Sequence, residues 1–114
     1  MTQLSEHFKS EEFACHCCGL EGVSDELIDL LEDIRAAVDE PIHILSGRRC
    51  VSHNRACGGK EHSQHLLGEA ADIKCSLTPK ELGKLIERRF NPQGMGVYAT
   101  FVHVDVRKGP RARW

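Results

Sequence analysis

Three polar residues stand where a small protein would normally place apolar ones. Asp72 interrupts Ala70-Ala71-Asp72-Ile73, and His103 interrupts Phe101-Val102-His103-Val104. His65 lies seven positions before Asp72, in a stretch bounded by Gly58-Gly59 and Gly68. A buried imidazole or carboxylate needs a partner. One divalent cation could satisfy all three, and two imidazoles with one carboxylate leave a tetrahedral zinc site one open corner. Such a centre keeps a charge of about +1, so the ion stays a strong Lewis acid and acidifies its bound water. An all-thiolate set would quench that acidity and read as structural.

Asp105 follows His103 by two positions. In a strand, residues two apart share a face. Asp105 is therefore expected beside the water, as the catalytic base. The alternative exchanges the roles, with Asp105 on the metal and His103 as acid/base. The first assignment is preferred because Asp72 already supplies a carboxylate.

Recognisable elements must position these side chains. Ser10 to Phe13 reads as one capped helical turn. Ser24 caps a helix whose Leu27, Leu30, Leu31, Ile34 and Val38 form one apolar stripe, ending near Asp39 before Pro41. Ile42 to Leu45 reads as a buried strand, and Ser52 to Cys57 as a short helix. Lys60 to Glu69 reads as a polar loop, and Ala70 to Lys74 as a second apolar strand. Thr78-Pro79 opens another helix, broken at Asn91-Pro92-Gln93-Gly94. Met95 to Ala99 and Phe101 to Val106 read as two strands joined by a tight turn, followed by a basic tail from Lys108 to Trp114. Helices are segregated from strands, so the expected class is α+β.

The chain has 114 residues, 40% hydrophobic and 28% charged. That balance suits one globular domain spanning 1–114 and excludes a disordered chain. The net charge of -2 gives no basic field for nucleic acid or an anionic membrane. No apolar run is long enough for a membrane span. The N-terminus shows no secretory signal, so synthesis in a reducing cytosol is expected.

The order Ser46-Gly47-Arg48-Arg49, His53-Asn54, Gly58-Gly59, Ser63-Gln64-His65, Gly68-Glu69-Ala70-Ala71-Asp72-Ile73 and Phe101-Val102-His103-Val104-Asp105 resembles the zinc D-Ala-D-Ala carboxypeptidase family of peptidoglycan peptidases. The Ser-x-His-x-x-Gly-x-Ala-x-Asp core, Ser63 to Asp72, is its most specific part. The resemblance implies an α+β fold of the Hedgehog/D-Ala-D-Ala peptidase-like kind, a small antiparallel sheet with helices packed around it. It implies zinc on His65, Asp72 and His103, with Arg48 as the substrate-binding and catalytic arginine and Ser63 near the metal as a ligand- or substrate-bonding serine. For Arg48 the alternative is a structural clamp on the Ser63–Asp72 loop. Many members of the superfamily carry His-x-His where this chain has His103-x-Asp105, which leaves the base open to assignment. Tyr98 is a possible secondary hydrogen-bond donor.

The implied activity is hydrolysis, by metal-activated water, of D-residue-containing stem or cross-link peptides of peptidoglycan. The chain is expected to act as a monomer on the cell wall, as an endolysin does, or after export by a route not visible in the sequence. Two rivals remain: a non-catalytic zinc-containing binding module on the same fold, and a small zinc-ribbon adaptor centred on Cys15 to Cys18. For the 6 cysteines three readings stay open: a second zinc on two of Cys15, Cys17 and Cys18 with Cys50 and Cys57, a disulfide between those clusters, or thiols. Cys75 reads as a small buried hydrophobe.

Overall fold

A computed structural model describes residues 3–16, 18–19, 21–59 and 63–114. Expectations for Cys17 and for the loop at Lys60, Glu61 and His62 lie outside the described residues. Helix α1 spans Asp25–Val38, and the Ser24 hydroxyl accepts the Leu27 N–H at 3.1 Å. Asp25 and Glu26 occupy its first turn, where the helix dipole favours acid. Leu27, Ile28, Leu31 and Ile34 are buried, and Asp39 ends the helix in the left-handed region at φ 54. Helix α2 is Val51–Ala56. Helix α3, Pro79–Arg89, opens with a reciprocal capping box between Thr78 and Glu81.

Five strands follow or intervene: β1 His43–Ser46, β2 Ala70–Lys74, β3 Gly94–Val97, β4 Val102–Asp105 and β5 Ala112–Arg113. They form one sheet in the order β1-β2-β4-β3-β5. Each neighbouring pair among the first four is antiparallel, but β5 runs parallel to β3. The sheet is therefore mixed, which corrects the expectation of a purely antiparallel one. The cause is the tail: Val97 N–H donates to the Trp114 carbonyl and Trp114 N–H to the Met95 carbonyl, so the last residues add an edge strand.

Alternation along the strands divides the sheet into two faces. Ala71, Ile73, Met95, Val102 and Val104 join Leu31, Ile34, Leu82 and Ile86 in the apolar core. Phe8 and Phe13 close that core from the N-terminal side, their rings edge to face at 6.0 Å. The opposite face carries Asp72, paired across the ladder with His103, and Ala70, paired with Asp105. On the other side of β4, Gly94 and Gly96 stand opposite Asp105 and His103. A Cβ on Gly94 would overlap the Asp105 carboxylate, and one on Gly96 would overlap the Trp114 ring. Glycine is what leaves this face deep enough to hold side chains at its centre.

Candidate metal centre

The 3-10 turn Gln64–Leu67 delivers His65 to the polar face. The Ser63 hydroxyl caps this turn by accepting the His65 N–H at 3.2 Å. Gly68 ends the turn at φ +71, packed against the Gly22 carbonyl with no room for a side chain. His65 Nε2 lies 3.2 Å from Asp72 Oδ1, and His103 Nδ1 lies 3.0 Å from the same oxygen. The two rings meet edge on at 5.1 Å. One ligand atom from each of the three residues falls within 4.8 Å of the other two, and all three residues are buried.

The outer nitrogens fix the tautomers. His65 Nδ1 donates to the Gly47 carbonyl at 2.7 Å, which leaves Nε2 facing inward. His103 Nε2 donates to Asp105 Oδ2 at 2.7 Å, which leaves Nδ1 facing inward. Both imidazoles thus turn a lone pair toward the Asp72 carboxylate when neutral. An outer hydrogen bond that sets ring orientation is the usual support of a histidine metal ligand. Two inward nitrogens and one carboxylate oxygen suit zinc, so the donor set fits the ion that the resemblance implies.

Charge is concentrated on the two carboxylates. Burial works to raise the Asp72 pKa, but its close contacts with His103 and His65 outweigh it and hold the carboxyl well below the usual range. Burial also opposes the ionisation of Asp105, and there the Arg107 side chain and His103 outweigh it in the same direction. For His103, burial lowers the pKa, yet hydrogen bonds to Asp105 and Asp72 carry it upward.

Asp105 meets the outer side of the His103 ring. It is fully buried and both of its oxygens are engaged. Oδ1 accepts from Arg107 Nε at 2.8 Å and from its backbone N–H at 3.2 Å, while Oδ2 takes Arg107 NH2 and His103 Nε2, each at 2.7 Å. Sharing a face with His103 brings it onto the far nitrogen of that ring instead of into the cleft. Its geometry is that of an orienting group.

Arg48 is not among the residues lining the cleft. Its NH1 donates to the Gly22 carbonyl at 3.0 Å, beside the Gly68 turn, which is the clamp geometry. The residue at the site is Arg49, which sequence reasoning missed. Arg49 NH2 bonds Asp72 Oδ2 at 3.1 Å, and its other nitrogens bond Ser46 Oγ and Asn54 Oδ1. Just before these two arginines, Ile44 pairs with Ile73 and Ser46 with Asp72, so β1 carries one extra residue.

A cleft of about 540 Å³ opens over the donors, lined among others by Arg49, Ser63, Gln64, Tyr98, Phe101 and Arg107. Trp114 forms one wall, its ring 4.9 Å from His103 and beneath the Arg107 guanidinium at 5.2 Å. Its indole N–H donates to the Tyr98 hydroxyl at 2.6 Å, so Tyr98 is an acceptor, and the Tyr98 ring stacks on Phe101 at 4.5 Å. A second hollow of about 570 Å³, between α3 and β3, is lined by Lys80, Lys84, Met95 and Val97 and contains neither histidine nor cysteine.

An α+β sheet with a His-Asp-His donor set at the floor of a cleft suits a metal-dependent hydrolase. The model of the family described as Peptidase M15 matches residues 6–105, and the chain belongs to that family, which is zinc D-Ala-D-Ala carboxypeptidase-like. No curated protein matches the chain. No helix among the described residues is long and apolar enough to cross a membrane.

Proposed function

We propose that this chain is a zinc peptidase that cleaves D-residue-containing stem or cross-link peptides of bacterial peptidoglycan, working as a single domain and as a monomer at the cell wall. The observation that carries the reading is the convergence of His65, Asp72 and His103 within 4.8 Å at the floor of a cleft, in a chain of this family. These three residues would hold the zinc. When bound, the ion supplies Lewis acidity that polarises a peptide carbonyl and acidifies water.

The chain's own residues do the rest. Gly47 and Asp105 fix the ring orientations of His65 and His103. Arg107 keeps Asp105 ionised and in place. Arg49 presents a guanidinium at the cleft, suited to a peptide carboxylate or carbonyl oxygen, and steadies Asp72. Ser63 holds the turn that delivers His65 and lines the cleft as a hydrogen-bonding group. Tyr98, Phe101 and Trp114 form an aromatic wall on one side of the cleft.

Mass spectrometry of peptidoglycan fragments incubated with the zinc-loaded protein tests this reading. New termini at a D-residue bond are expected, and they should vanish in His65→Ala. Unchanged fragments with the wild type would defeat it. One observation favours a second reading, a zinc-containing binding module: among the described cleft-lining residues, Asp72 is the sole carboxylate. That reading predicts muropeptide binding without cleavage in the same experiment.

A further inference from the structure

Outside the cleft, a second group of soft ligands comes together. Cys15, Cys18 and Cys50 bring their sulfurs within 4.8 Å of one another. Tetrahedral zinc with Zn–S bonds of about 2.3 Å needs sulfurs roughly 3.8 Å apart, so small side-chain shifts would close the set. The three come from two distant segments. Cys15 is buried just after the core residue Phe13, and the turn closed by Gly19 N–H on the Cys15 carbonyl at 2.8 Å folds Cys18 back. Cys50 stands immediately before α2 and after Arg49.

The surroundings already favour sulfur as an acceptor. The Cys50 N–H donates to Cys15 Sγ at 3.4 Å, and the His53 N–H donates to Cys50 Sγ at 3.4 Å. The residue spacing is that of two metal knuckles, Cys15-x-x-Cys18 and Cys50-x-x-His53. The His53 imidazole stands on the same turn, 3.5 Å from Cys57 Sγ and 5.7 Å between rings from His16. Neither Cys57 nor the His53 ring is in the converging group, so His53 reaches it only by turning its side chain.

We propose that Cys15, Cys18 and Cys50 bind a second zinc ion, with His53 completing the tetrahedron once its ring turns from Cys57, and that this ion is structural. Three thiolates more than neutralise the ion, so it lacks the Lewis acidity of the His-Asp-His centre. Its work is mechanical. It clips the N-terminal segment to the start of α2 and so anchors the residue before it, Arg49, which bonds Asp72.

Metal analysis and cobalt spectroscopy on the full chain, prepared under reductant, test this. The wild type should retain about two equivalents of zinc after dialysis, and a His65→Ala/Asp72→Asn double variant about one. With cobalt in place of zinc, the double variant should keep strong thiolate-to-cobalt charge-transfer absorption in the near ultraviolet. Cys50→Ser should lose that absorption and one equivalent of metal. The double variant serves as the control for folding, because it leaves every cysteine in place. A metal-free double variant, a cobalt spectrum without the thiolate band, or an intact mass showing Cys50 in a disulfide with Cys15 or Cys18 would overturn the proposal.

Discussion

At the scale of single residues, the site is a relay of orientation. Arg107 holds Asp105, Asp105 holds the outer nitrogen of His103, and His103 turns its inner nitrogen to Asp72. Asp105→Asn keeps the shape and weakens the relay. Zinc affinity is expected to fall by about 10- to 100-fold, read by competition with a chromophoric chelator. A direct base would instead lose turnover with zinc affinity intact. The two neighbouring arginines should separate in the same way. Arg49→Ala is expected to lower kcat/KM on a muropeptide about tenfold or more, some 1.4 kcal/mol. Arg48→Ala should chiefly lower the urea midpoint, because its guanidinium ties Gly22 to the fold. The three donors were legible in the sequence because each polar residue stood in an apolar or glycine-bounded stretch. The choice between Arg48 and Arg49 was not, because the two are adjacent beyond the end of β1 and the bulge that shifts the chain before them leaves no mark in the sequence. The role of Asp105 was half legible: period two gives the shared face, but not which ring nitrogen it meets.

At the scale of elements, caps and glycines carry the specification. Thr78→Ala removes one half of the α3 capping box and should cost about 1 kcal/mol of unfolding free energy. Leu82 and Ile86 of α3 pack into the apolar core, away from the polar face, so zinc affinity should be unchanged in that variant. Gly94→Ala is expected to behave oppositely. Its added methyl must displace the Asp105 carboxylate or the backbone of β3. A cost of about 1–3 kcal/mol is expected from denaturant titration, together with weaker zinc binding. Helix starts were readable from Ser24 and Thr78, since a hydroxyl before an acidic first turn has one obvious use. The parallel edge strand was not readable. Ala112–Arg113 is too short to show a period, and its pairing is decided by where the tail lies against β3.

At the scale of the whole molecule, the cleft draws on segments far apart in sequence, so metal and fold should be linked. Chelation of zinc is expected to lower the thermal midpoint, and readdition at 100 times Kd should restore about 2.7 kcal/mol relative to the metal-free chain. The N-terminal segment is tied down by charge as well. Burial raises the Glu32 pKa, but hydrogen bonds from Ser5 and His7 outweigh it and leave the group below its ordinary value. A carboxyl depressed by folding stabilises the protein above its unfolded pKa and ceases to do so as pH falls through the folded value. Glu32→Gln should therefore show a deficit of less than about 1 kcal/mol near neutral pH. The deficit should fade in denaturant titrations below about pH 4.

The two histidines differ in what steadies them, and that difference has an evolutionary side. His65 leans on a main-chain carbonyl, which no substitution can delete. His103 leans on a carboxylate that itself needs a guanidinium, so two codons stand behind one ligand. Random mutation should therefore erode the His103 arm of the centre sooner than the His65 arm, and a library selected for retained zinc should record that asymmetry at Asp105 and Arg107.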